Sequence, residues 1–340
     1  MSLFSRVLLG LGLALAAGAS QAQVERCVRT IAELNSAWLL AKDDPVTIKL
    51  ATGVYDFAQF NDSGISYRLR VRGGYNSVCT SRTEDPSATI LTHSTGGEIR
   101  MIAYIGGGAP IEFERLTFRA AGGVSIFLEN INSNDHYILL DRVWADQTRS
   151  FRVQTGAEVF VRNSVFTRNS ECALSIAVGS SGTLSWFEKA VISNSTFADN
   201  VGGGLCIGGD NIEDDWELAL TNSVFWNNAA ADISLRNPNI SFSTIDATLR
   251  NNTYTAIQSN RALRSTPAAT SSANPQFVNA AAGNWRLSGA SPAINSGRID
   301  ANLLNQRDFD GGPRWFGQAP DRGAFESNIG TTATVLSVTN

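Results

Sequence analysis

Two rhythms of apolar residues run along the chain. Residues 30–44, TIAELNSAWLLAKDD, place Ile31, Leu34, Trp38 and Ala41 at three- and four-residue steps, one apolar stripe of a helix. Thr30 and Glu33 form a Thr-x-x-Glu capping box at its start. From residue 46 the step shortens to two. VTIKLATGVYDF (46–57) is alternating and β-branched with a Thr-Gly break. YRLRVRGGYNSVC (67–79) sets Leu69 and Val71 between Arg68, Arg70 and Arg72 and turns at Gly73-Gly74, and ATILTH (88–93) adds another short strand. Onward to about residue 250 the pattern predicts short strands and turns.

One phrase recurs in this β region: NSVFTRN at 163–169, NSTFADN at 194–200 and NSVFWNN at 222–228. Setting its aromatic in register gives a column of Phe118, Trp144, Phe166, Phe197, Phe225 and Ile245. Three residues earlier stand Arg115, Asp141, Asn163, Asn194, Asn222 and Phe242; three later stand Ala121, Gln147, Asn169, Asn200, Asn228 and Thr248. The steps of 26, 22, 31, 28 and 20 residues are uneven, as loops inserted on one side of a solenoid make them. A chain coiling into stacked triangular turns pairs each strand with its counterpart one coil away and stacks Phe upon Phe. Asn and Gly reach the left-handed backbone that coil corners need, and stacked Asn side chains bond one another. The fold class expected is all-β, a right-handed parallel β-helix, with the 30–41 helix plugging the first open end against edge-to-edge pairing. A β-sandwich is the competing reading; it gives turn signals every 8–12 residues without identity down the columns.

The chain of 340 residues is long enough for one large β domain or two ordinary ones. Charge changes the picture little: charged residues are 17%, the net charge is −4, and Lys42, Lys49 and Lys189 are the three lysines. No broad basic surface exists for nucleic acid. The beginning, MSLFSRVLLGLGLALAAGASQAQ, has Arg6, an apolar run from Val7 to Ala17, and Ser20-Gln21-Ala22 at a cleavage site before Gln23; residues 1–22 read as a secretory signal peptide. Export to the medium, the periplasm or the outer surface follows, with no transmembrane span in the mature chain and a monomer as the expected state.

Four cysteines, Cys27, Cys79, Cys172 and Cys206, allow three pairings in an oxidising compartment. Cys27–Cys79 and Cys172–Cys206 are favoured. Cys172 lies six residues past Phe166 and Cys206 nine past Phe197; an outward bulge of Gly202-Gly203-Gly204 would absorb the extra three and stack the two, adjacent coils being about 4.8 Å apart. Cys27–Cys79 would staple the helical cap. His93 and His136 are far apart, and no CxxC occurs, so a zinc centre is not expected.

The opening TIAELNSAWLLAKDDPVTIKLATGVYDF and the following LRVRGGYNSVCTSRTEDPSATIL resemble secreted right-handed parallel β-helix proteins of the pectate-lyase-like superfamily, and the 163–228 phrases resemble their repeats. NPQFVNAAAGNWRLSGASPAINSG with RDFDGGPRWFGQAPDRGAFE resembles the closing module of choice-of-anchor Q domain proteins. The resemblance covers nearly all of residues 24–326. It implies a signal peptide at 1–22, a β-helix with its cap at 23–269, a closing module at 270–326 and a tail at 327–340. That tail, SNIGTTATVLSVTN, lacks the long apolar span, basic end or Leu-Pro motif of a surface anchor. The superfamily mixes lyases, hydrolases and adhesins, so the resemblance speaks for fold more than for activity.

Three clusters could carry chemistry. Two residues past the repeat aromatic stand Ala120, Asp146, Arg168, Asp199 and Asn227. Asp146, Arg168 and Asp199 on successive coils would lie within roughly 10 Å. In a β-helical polysaccharide lyase, carboxylates hold a cation against the uronate and an arginine takes the α-proton. Asp146 and Asp199 could instead be paired glycosidase acids, or the three a ladder of ion pairs that fixes coil register. GGDNIEDDW (208–216) offers Asp210, Glu213, Asp214 and Asp215 for calcium and Trp216 for stacking on a sugar; a solvated acidic loop is the plainer reading. DFDGG (308–312) puts Asp308 and Asp310 in a partial calcium-loop pattern without its third Asp/Asn and distal Glu. No Gly-x-Ser-x-Gly elbow, phosphate loop or dinucleotide fingerprint occurs. The function expected is binding or processing of a polysaccharide or cell-surface glycan along an elongated groove, with Ca2+ as the one candidate cofactor. If the protein is an enzyme, it is a polysaccharide lyase or glycoside hydrolase. The alternative is a non-catalytic, adhesin-type or structural envelope protein.

Overall fold

Alternation of the kind seen at 67–72 becomes a coil when each strand finds its partner one turn on. The computed structural model describes residues 23–328 apart from 61–64, 105–109, 130–136, 156, 179–188, 209–215, 237–243 and 266. The signal peptide expected at residues 1–22 lies outside the described residues. Three parallel sheets make the faces of the coil. The first runs from Val24–Val28 through Val46–Ala51, Leu69–Tyr75 and onward to Thr244–Arg250 and Ala262–Ser265. Gly53–Asp56, Thr89–Thr92, Val165–Thr167, Thr196–Ala198 and Val224–Trp226 belong to the second. The third begins at Ile99–Tyr104 and ends at Ile257–Ser259. The long strands Ile111–Arg119 and Tyr137–Asp146 turn the corner between the first two sheets, with Arg115 and Arg142 left-handed at φ 55° and 54°. The chain is therefore an all-β, right-handed parallel β-helix, capped at its start by the helix Ile31–Leu40. Thr30 Oγ1 caps the helix by accepting from the Glu33 amide, Glu33 accepts in turn from the Arg29 amide, and Leu34, Ala37 and Trp38 are buried beneath it.

The recurring phrase is one corner and one inward ring. Asn163, Asn194, Asn222 and Asn251 take φ of 50°, 46°, 51° and 53° at the corner between first and second sheets. The residue that follows accepts from the coil before it: Ser164 N donates to Ser195 Oγ, Ser195 N to Ser223 Oγ, and Ser223 N to Asn252 Oδ1. Phe166, Phe197 and Phe225 then pile in one file, 4.8 and 4.5 Å between centroids and within 4° of parallel, all fully buried. Three residues further, Asn169 Nδ2 donates to Asn200 Oδ1 at 2.9 Å and Asn200 Nδ2 to Asn228 Oδ1 at 2.8 Å.

Two members of the expected columns are displaced. Trp144 pairs with Thr117 and Val165, and Ala145 with Phe118 and Phe166. The corner falls at Arg142, one residue after Asp141, and a one-residue slip sends every side chain to the other face. Phe151 of the third sheet fills the place left beside Ala145, 5.1 Å from Phe118 and 6.2 Å from Phe166. Ile245 belongs to the first sheet, opposite Leu263. The coil after Phe225 is Asn251-Asn252-Thr253-Tyr254, in which Thr253 bridges Val224 and Tyr254 packs against the core.

Both disulfides form, Cys27–Cys79 and Cys172–Cys206, with Cα separations of 5.7 and 6.2 Å. The second does so without a bulge. Val201 N donates to Asn169 O and Leu174 N to Gly204 O, so the glycines stay in register. Cys206 pairs with Ser175, and the cystine is diagonal. Gly202 is glycine because a Cβ there would stand 2.5 Å from the Glu171 main chain.

Beyond the last coil, residues 277–328 fold back along the outer face of the second sheet. This segment begins with an antiparallel pair, Phe277–Asn279 with Asn284–Leu287. Trp285, Phe309, Ala324 and Phe325 pack on Val165, Ala198 and Trp144, and Leu287 and Ala293 on Val224. Asn222 grips it by main chain, Oδ1 accepting from Arg298 N at 2.6 Å and Nδ2 donating to Arg298 O at 2.9 Å. Inside the segment, Arg314 is fully buried and donates to Glu326 at 2.8 Å and to Gly323 O at 3.0 Å.

Candidate functional site

The outer face of the first sheet carries a groove. One part, of about 910 Å³, runs over Leu139, Phe160, Val191, Ser193 and Thr221 and is walled by 300–307 of the C-terminal segment. A second part, of about 360 Å³, continues over Arg70, Arg72, Glu112 and Glu114; both parts share Tyr137, Leu139, Asp141 and Arg162. The floor crosses six successive strands, from Leu69–Tyr75 to Glu217–Thr221, a length of about 24 Å at the parallel strand spacing.

Strand alternation builds this floor. Arg70 and Arg72 face outward because Leu69 and Val71 are buried, and Glu112 and Glu114 stand directly opposite them in the register. Glu112 accepts from Arg68 and Arg70 at 2.7 Å each and from the Tyr137 hydroxyl at 3.0 Å. Glu114 meets Arg82 at 2.7 Å and Arg72 and Arg142 at 3.0 Å. Arg162 meets Asp141 at 2.9 Å. Burial pushes the Glu112 carboxyl up, but hydrogen bonds from Arg70 and Arg68 outweigh it and hold the pKa below the ordinary value. Glu114 behaves likewise, burial opposed and overcome by Arg82 and Arg72. Arg115, behind the same lattice, is lowered to about 10 by burial and by Arg142 and Arg82 beside it. Between the charged rows lie Tyr137 and Phe160, edge to face at 5.7 Å, with half-buried Leu139 and Val191.

The residues singled out from the sequence lie elsewhere. Asp146 is on the outer face of the second sheet, in the row Arg119, Asp146, Thr167 and Ala198. It is fully buried: Arg168 donates to both its oxygens at 2.8 and 2.7 Å, with Arg119 at 3.0 Å and Thr167 Oγ1 at 3.1 Å. Arg168 and Asp199 do share a corner column with Gln147 and Asn227, all with φ between 54° and 57°, and Asp199 accepts from Asn227 Nδ2 at 2.7 Å. Gly283 of the C-terminal segment covers Arg168; a Cβ there would lie 3.4 Å from its Nη2. Trp216 is 3% exposed within the core, so it offers no face to a sugar. Asp210, Glu213, Asp214 and Asp215 lie outside the described residues. Asp308 Oδ2 accepts from Glu326 N at 2.9 Å, and Asp310 is held bidentately by Arg286 at 2.7 and 2.6 Å. Among the described residues no three Asp, Glu, His or Cys side chains gather as a metal site.

Tyr137, Phe160 and the rows of Arg70, Arg72, Glu112 and Glu114 are not singled out by the sequence reading. Their signal is present as Arg-x-Arg in 70–72 and Glu-x-Glu in 112–114, with Phe160 at the outward position between Val159 and Val161.

No family model and no curated protein matches the chain. Among solved structures, the crystal structure of the pectate lyase Pel9A is similar at 14% identity over 92% of this chain and 98% of that one, with a TM-score of 0.32. At that score the likeness carries no weight for function, and the β-helix stands on its own strand register.

Proposed function

We propose that the protein is exported and binds an elongated polysaccharide along the first-sheet groove, holding the chain without cleaving it. The observation that carries this reading is the groove floor: Tyr137, Phe160, Leu139 and Val191 offer apolar surface to sugar rings, bordered on both sides by polar groups. Sugar recognition commonly needs that combination of flat apolar contact and placed hydrogen-bonding groups. Two of the groove's carboxylates speak against cleavage: a glycosidase acid must carry a proton, whereas Glu112 and Glu114 are held below the ordinary range by their arginines. The two disulfides fit an oxidising compartment. No described helix is long and apolar enough to cross a membrane.

The test is a panel of soluble polysaccharides in affinity electrophoresis, with parallel assays for reducing ends and for unsaturated uronate. Binding without product is expected, and Phe160→Ala should weaken it about tenfold or more, as loss of a central aromatic contact does. Folded protein that retains no polymer, or Phe160→Ala that binds as the parent does, would remove the proposal. Release of products would convert it into a catalytic one.

A further inference from the structure

We infer that the groove selects uncharged polysaccharide over polyuronate, an inference that rests on the binding role proposed above. The argument is electrostatic. The residues lining the two joined parts of the groove include five arginines and five carboxylates, so the fixed charge sums to zero. Four of those arginines are committed: Arg70 to Glu112 at 2.7 Å, Arg72 and Arg142 to Glu114 at 3.0 Å, and Arg162 to Asp141 at 2.9 Å. A uronate carboxylate entering over the strand floor would have to draw one of these four guanidinium groups away from an acid that is itself largely shielded from water. It would also face that acid as a like charge. The fifth arginine, Arg307, stands on the C-terminal wall and donates to Gly311 O at 3.4 Å.

A hydroxyl meets no such obstacle. A guanidinium has five N–H donors and a carboxylate has about four acceptor sites, and the pairs in the groove leave part of that capacity over. The Arg162 contact to Asp141 runs through Nη2 alone. Neutral sugars can take the remaining donors and acceptors without breaking an ion pair, while Tyr137 and Phe160 offer apolar contact beside them. At Glu112, Glu114 and Asp141 a divalent cation bridging uronates would have the same difficulty, since each already accepts from arginine.

Isothermal titration of the full protein with a soluble β-glucan, a galactan, polygalacturonate and alginate tests this, at roughly 50 and 500 mM NaCl. A neutral chain should bind with affinity changing less than about twofold between the two salts, and the polyuronates should bind at least about tenfold more weakly. Asp141→Asn, which uncovers Arg162, should raise the ratio of polyuronate to neutral affinity by about tenfold at the lower salt. Polyuronate bound as tightly as the neutral chains would overturn the inference while leaving the binding role intact, and so would an affinity ratio that Asp141→Asn does not move. Silence with all four polymers would overturn both.

Discussion

Phe197 and Trp144 occupy matching places in the sequence repeat and opposite faces in the coil, so truncating each to alanine should give different losses. Phe197 is fully buried between Phe166 at 4.8 Å and Phe225 at 4.5 Å. Phe→Ala in a core costs about 3–5 kcal/mol, and a ring pair adds ~0.5–1.5 kcal/mol beyond its area. With two such pairs lost and both neighbours held by strand pairing, the hole cannot close readily; a loss of about 5 kcal/mol follows. Trp144 lies on the outer face, donating to Thr167 Oγ1 at 2.9 Å and meeting Phe309 at 6.2 Å. Losing one hydrogen bond, one ring contact and the half-buried packing against the C-terminal segment should cost about 3 kcal/mol. The assay is urea unfolding followed by circular dichroism, with the m-value checked for constancy. A solenoid can open coil by coil, so amide exchange is read alongside. In Phe197→Ala, Val165–Thr167 and Val224–Trp226 should lose protection first. Equal losses for the two variants, or less than about 2 kcal/mol for Phe197→Ala, would refute the inward file.

Asn200→Asp keeps the acceptor used by Asn169 but removes the donors to Phe166 O and Asn228 Oδ1; a loss of about 2–4 kcal/mol is expected at neutral pH. That loss should shrink in acid as the carboxyl regains a proton, which thermal melts at two pH values would show. Glu112 and Glu114 have folded pKa values below their unfolded ones. Their contribution is therefore present above the unfolded carboxylate range and disappears as pH falls through the folded values. The melting temperature should drop on acidification, and Glu112→Gln with Glu114→Gln should flatten that drop; a variant with the parent's pH profile would contradict the assignment. The Cys27–Cys79 bridge spans 52 residues, and the chain-entropy model gives about 4 kcal/mol for closing such a loop. Replacing both cysteines by alanine should loosen the 31–40 helix first, as faster amide exchange there.

What can be read from sequence follows how much each residue specifies by itself. Between Asn163 and Asn228 three coils repeat the same corner, serine and ring, and there the columns are visible without knowledge of the fold. Spacing misplaces Trp144 because distance from an aromatic does not reveal which residue turns the corner. Asp141-Arg142 supplies two candidates, and the left-handed residue is Arg142, a type that seldom adopts that backbone. Spacing also passes over Asn251-Asn252-Thr253-Tyr254, because Ile245 meets the criterion of an apolar residue at roughly the right step, although the corner asparagine is the stricter marker. The groove is harder still. Arg70 and Arg72 become partners of Glu112 and Glu114 only after strands about forty residues apart are set in register, and an Arg-x-Arg alone is an ordinary solvated face. Asp146 and Arg168 illustrate the converse. They stand out in the sequence as charges on neighbouring coils, and they do meet, but as a bidentate pair in which Asp146 is fully buried and Arg168 lies against Gly283 of the C-terminal segment. Opposite charges on adjacent coils find each other wherever they face the same side. A ladder of ion pairs is thus the default outcome of parallel stacking, and a binding site is better sought where such pairs border an apolar floor, as they do around Tyr137 and Phe160.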